Sequence, residues 1–96
     1  MQIIDKPWGH EEWVEVNDKY VVKRLLMKKG HQCSLQYHEK KKETVVVLSG
    51  SMTVYYNDEV FKMGTSDTLT IDSFVTHRMF AETEDCVYLE CSTPEL

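Results

Sequence analysis

Two imidazoles, an amide and a carboxylate fall where they could share one ion. Gln36 and His38 are two residues apart, and an extended chain carries such residues on the same face. A charged turn, Glu39–Lys42, follows, and Glu43 opens the returning run. A hairpin of this length brings the Glu43 carboxylate beside the first two side chains. His77 begins a later run, after Ile71-Asp-Ser-Phe-Val-Thr76. An amide oxygen, two imidazoles and a carboxylate converging inside a barrel suit one borderline divalent ion. Zinc fits such a set first, and manganese, iron, cobalt and nickel are alternatives. The Gln-x-His pair alone reads as an ordinary polar pair facing water, and the expectation rests on the whole frame from Gly30 to Gly50 in which it stands.

The elements that must carry these residues read as strands. Short runs rich in Val, Tyr, Thr, Leu and Met recur between turn signals. They are Glu12–Val16, Tyr20–Lys28, Ser34–His38, Thr44–Leu48, Met52–Tyr56, Val60–Met63, Thr68–Ile71, His77–Phe80 and Cys86–Cys91. Between them lie Asn17-Asp18, Lys29-Gly30, Ser49-Gly50, Asn57-Asp58 and Gly64, residues that tolerate tight-turn backbone angles. Glu39–Glu43 is no more than one charged turn, and no helical period of useful length occurs. Pro7 and Pro94 both lie outside the strand-rich centre, where a missing N–H would interrupt a ladder. About eight to nine short strands in a chain of this size predict an all-β sandwich, barrel or jelly roll.

The 96 residues support one core, so a single domain over 1–96 is expected. The net charge is −5, and the eleven Lys and Arg residues form no long basic stripe. Nucleic acid and an anionic membrane are therefore not expected partners. Met1–His10 lacks an apolar segment of signal-peptide length and no 18-residue apolar run occurs, which predicts a cytoplasmic protein. Cys33, Cys86 and Cys91 cannot all pair within one chain and show no CxxC spacing; buried, reduced thiols are expected. Cys86 and Cys91, five apart in one strand, should face opposite sides.

The stretch from Gly30 to Gly50 resembles the first cupin motif. Gly30, Gln36, His38, Glu43 and Gly50 occupy its places, with Gln where the first His usually stands. The second motif matches more loosely: Ser66 and Phe74 replace its glycines, Asp72 replaces its proline, and His77 fills the His place. The segments Lys6-Pro-Trp-Gly9, Tyr20-Val-Val-Lys-Arg24, Ser34-Leu-Gln-Tyr-His38 and Thr76-His-Arg78 are together similar to the C-terminal domain of type II mannose-6-phosphate isomerases, from Lys6 to about Glu90. Two departures stand out. The chain stops at Pro94-Glu-Leu96, where that domain continues into an acidic tail, and Glu39-Lys-Lys-Lys42 replaces a run containing several His residues.

The resemblance implies a small double-stranded β-helix, the jelly-roll barrel of RmlC-like cupins. It also implies metal ligation by Gln36, His38, Glu43 and His77, and aldose–ketose isomerisation of a phosphorylated or nucleotide-linked sugar. The proton transfer such a reaction needs points to a carboxylate near the metal, and Glu90 in the final run is the candidate. Lys23, Arg24 and Arg78 lie in the matching segments and are the phosphate-binding candidates, Lys23 and Arg78 also counting as catalytic candidates. Lys23 and Arg24 are strand neighbours, so at most one faces a cavity. Arg78 should point away from His77's side. Lys40-Lys41-Lys42 reads as a solvated turn, and Trp8, Trp13, Tyr37, Tyr55, Tyr56 and Tyr88 as core or interface aromatics. Small cupins pair through the N-terminal strand, which implies a homodimer. A carbohydrate-binding module without catalysis and an iron-dependent cupin oxygenase are the alternative functions.

Overall fold

The computed structural model describes residues 1–94. They form nine antiparallel strands: β1 (Gln2–Lys6), β2 (Gly9–Val16), β3 (Val21–Met27), β4 (Glu43–Ser49), β5 (Ser51–Tyr56), β6 (Glu59–Gly64), β7 (Thr68–Ile71), β8 (His77–Phe80) and β9 (Cys86–Ser92). One sheet has the order β1-β2-β3-β9-β4-β7 and the other β6-β5-β8. Among the described residues there is no helix, and so none long and apolar enough to cross a membrane.

Alternation decides which faces meet. On β4, Glu43, Val45 and Val47 are buried while their neighbours are less so, and on β3 Leu25 and Met27 follow the same rule. Met52 and Val54 on β5, Met63 on β6 and Met79 on β8 close over them, making one apolar cluster between the sheets. Each fully buried aliphatic side chain there contributes roughly 1.5–3 kcal/mol. Two glycines are demanded by close approach. A Cβ on Gly9 would sit 1.9 Å from the Leu26 carbonyl oxygen, and one on Gly50 would sit 2.0 Å from that of Asp85, both at positive φ.

Four expectations are corrected. Gln2–Lys6 is a strand that the runs did not reveal; it lies at the sheet edge, and its pattern shows no alternation of burial. Ser34–His38 is not a regular strand. The segment touches β8 through isolated bridges at Gln32–Phe80 and Gln36–His77, so four steps on one side match three on the other. That extra residue breaks the ladder. Cys33 and Cys86 are buried free thiols as expected, but Cys91 is exposed, on the opposite face of β9 from Cys86. Lys41 is not solvated: its side chain is 13% exposed and lies against Glu43 and Glu90.

Candidate metal centre

β4 begins on Glu43 and β8 begins on His77, so both ligand candidates sit at strand ends with their side chains directed inward. Gln36 and His77 exchange backbone hydrogen bonds of 2.8 and 2.9 Å. Residues paired this way project to the same face, which turns the Gln36 side chain toward that of His77. Gln36, His38 and Glu43 line a cavity of about 400 Å³. His38 is tied in from behind, its carbonyl accepting from the Phe74 N–H at 2.7 Å. One ligand atom from each of His38, Glu43 and His77 lies within 4.8 Å of the others.

The donor set fits a divalent cation. His77 Nδ1 lies 3.0 Å from the Val75 carbonyl oxygen, which can only accept, so Nδ1 carries the proton and Nε2 faces the site. Nε2 lies 3.0 Å from Glu43 Oε1, and neither it nor Glu43 Oε2 makes a well-directed hydrogen bond although both are buried. Two lone-pair atoms this close need a proton or a cation between them. Burial opposes the charge on His77, but the Glu43 carboxylate and the Val75 carbonyl outweigh it and raise its pKa. Burial would likewise raise Glu43; contact with His77 and Glu90 and the charge of Lys41 hold it down at about 2.

Glu90 stands beside this set on β9. Burial and its contact with Glu43 push its pKa up to about 7, against the pull of Lys41, whose Nζ is 2.9 Å away. Lys41 also lies 3.4 Å from Glu43, and the two carboxylates keep its pKa above the ordinary value despite burial.

The chain matches the family described as mannose-6-phosphate isomerase, C-terminal, over residues 1–89. It belongs to that family. A relative, ManC of Salmonella typhimurium, a mannose-1-phosphate guanylyltransferase, is 33% identical over 72 residues, which are 75% of this chain and 15% of that protein. Among solved structures, KdgF from a Halomonas species superposes with a TM-score of 0.90 at 15% identity, covering 100% of this chain and 90% of that one. An RmlC-like cupin from Shewanella frigidimarina gives 0.88 at 16% identity, covering 97% and 83%. The fold is the cupin double-stranded β-helix.

Within this family fold, the cations suggested by the sequence separate. Lys23 reaches the cavity wall, whereas Arg24 turns outward and its Nε donates to Glu12 at 3.0 Å. Arg78 alternates with His77 and Met79 on β8 and does not line the cavity. Lys41 and Glu11, which the sequence did not single out, do line it. Lys41 stands two residues before Glu43, the parity that shares its face, but it is hidden in a run of like charges. Glu11 was missed because the run was begun at Glu12, three residues after β2 starts. Trp8 and Tyr88 complete the apolar wall, and burial pushes the Tyr88 hydroxyl well above its ordinary pKa.

The Phe74 and Ser66 positions explain how the second motif survives without its glycines. Both residues adopt the left-handed backbone, with φ of 68° and 74°, that glycine would take more easily. The loop keeps its path at the expense of local strain.

Proposed function

We propose that this protein is a metal-dependent isomerase interconverting an aldose and its ketose in the mannose–fructose series, free or as the 6-phosphate. Gln36, His38, Glu43 and His77 would hold the ion, with zinc the best match to the donor set. A bound divalent ion supplies Lewis acidity toward a carbonyl oxygen. The remaining work falls to the chain. Glu90 takes the proton from the carbon beside the carbonyl and returns it to the former carbonyl carbon, while the hydroxyl proton of the first carbon passes to the former carbonyl oxygen. Burial favours the protonated form of this carboxyl group, which suits it to hold the proton between the two steps. Lys41 orients Glu90 through their 2.9 Å contact, and Trp8 and Tyr88 exclude water from that side of the cavity. Lys23 faces the sugar.

The observation carrying this reading is the closeness of three metal-type ligands, His38, Glu43 and His77, with the buried Glu90 carboxyl in contact with Glu43, in a mannose-phosphate isomerase domain. The test is metal analysis of protein purified without added metal, joined to an assay of aldose–ketose interconversion with mannose and with mannose 6-phosphate. About one zinc per chain with turnover is expected. Iron with oxygen uptake would turn the reading to an oxygenase, and sugar binding without turnover to a binding module.

A further inference from the structure

The charged side chains on the cavity wall alternate in sign across β2, β3, β9 and the approach to β4. Glu11 on β2 lies 3.6 Å from Lys23 on β3, and Lys23 is the direct cross-strand partner of Glu90 on β9. Glu90 meets Lys41, and Lys41 meets Glu43 at the start of β4. Each cavity lysine therefore already has a carboxylate, while Arg24 and Arg78 stay off the wall. Glu11 itself is held in place before any ligand arrives. The Trp13 indole N–H donates to its Oε1 at 2.9 Å, Lys6 Nζ lies 3.8 Å from Oε2, and the side chain is 13% exposed.

Such a row matches hydroxyl groups, each of which both donates and accepts. It does not match a phosphate dianion, which would sit beside the Glu11 carboxylate and compete with it for Lys23.

We infer that the cavity takes an unphosphorylated polyhydroxy aldose or ketose laid along this row, with Glu11 accepting from the hydroxyls farthest from the metal ligands, and that it discriminates against the terminal phosphate ester. Which end of the sugar meets the metal rests on the isomerase reading; the discrimination at Glu11 does not.

The test is calorimetric titration of zinc-loaded protein with mannose, fructose and their 6-phosphates. Wild type should bind the free sugars at least about tenfold more tightly than the esters. Glu11→Gln, which keeps the acceptor for Trp13 but removes the charge, should weaken free-sugar binding about tenfold and tighten ester binding by a similar factor, because Lys23 is released. Glu12→Gln, on the outward face of the same strand, should change neither. If Glu11→Gln lowers the melting temperature, Glu11→Asp keeps the charge and should keep the preference for free sugar. Tighter binding of the ester by wild type, or equal weakening of both ligands by Glu11→Gln, overturns the inference. Ester bound and isomerised in preference removes it and leaves the isomerase reading standing. Free sugar bound but not interconverted does the reverse, and a protein that binds neither removes both.

Discussion

Two of the four proposed ligands sit on strands and two on an irregular segment. Glu43 is fixed by ladders on both sides, paired with Ile71 of β7 and Ser92 of β9. Gln36 and His38 belong to the stretch before β4, held by the Gln36–His77 bridge and by the Phe74–His38 hydrogen bond. The first pair is part of the core; Glu43 and His77 are 4% and 1% exposed. The second pair is less buried and joins the barrel through those backbone contacts and the His38–His77 ring contact, 5.7 Å between centroids. Affinity and stability should therefore separate by burial: the deeply buried half of the centre holds the fold and the metal together, and the less buried half contributes more to the metal than to the fold.

Truncation on each side tests this contrast most strongly. Glu43→Ala leaves His77 buried without its carboxylate, while Lys41 keeps Glu90, so metal-free protein should lose roughly 3–5 kcal/mol in denaturant unfolding. His38→Ala should cost under about 1 kcal/mol in the same measurement, yet weaken zinc binding by at least roughly a hundredfold. Equal stability losses from the two substitutions would erase the distinction.

How far the centre was legible follows the same division. Glu43, His77 and the strands that carry them show alternation that two faces of burial impose, and those runs agree with β4 and β8 to within a residue. The segment holding Gln36 and His38 was read as a strand because its composition is strand-like; the extra residue opposite β8 is a tertiary register effect with no composition of its own. β1 was invisible for a related reason, since an exposed edge strand need not alternate. Lys41 cannot be told from Lys40 and Lys42 by type, and only the geometry of the approach to β4 turns it inward.

Between the halves stands the Glu90–Glu43 contact, and pH should show its sign. In metal-free protein, Glu90 is held at about 7 against an ordinary 4.5, so the folded state binds its proton more tightly than the unfolded chain. Its contribution to stability is complete below the ordinary value and is lost as pH rises toward 7. Glu43, held at about 2, works oppositely: its contribution is present above 4.5 and is lost as pH falls toward 2. His77, with a raised pKa, adds to the upper limb as pH rises beyond its ordinary 6.5. Unfolding free energy followed across pH should therefore decline between 4.5 and 7 by roughly 1–3 kcal/mol in wild type. Glu90→Gln should flatten that decline, and a slope left unchanged would refute the assignment of the raised pKa to Glu90.

The smallest expected effect concerns the strap that secures the irregular half. Phe74 holds a left-handed backbone, the residue is 62% exposed, and its ring meets that of Tyr37 edge-on at 6.1 Å between centroids. Replacing it by glycine removes the strain but adds freedom to the unfolded chain, and it forfeits the ring contact, so the net change on its own is uninformative. The comparison with alanine isolates the backbone term, because both substitutions lose the ring and only one loses the strain. Alanine is ordinarily the more stabilising of the two. At this position Phe74→Gly should instead be the more stable by about 1 kcal/mol, read from the shift in denaturation midpoint at constant slope. The usual order, with alanine ahead, would mean that the loop relaxes out of the left-handed conformation once the ring is gone. His38 would then be held by the Phe74–Tyr37 packing and not by the path of the backbone.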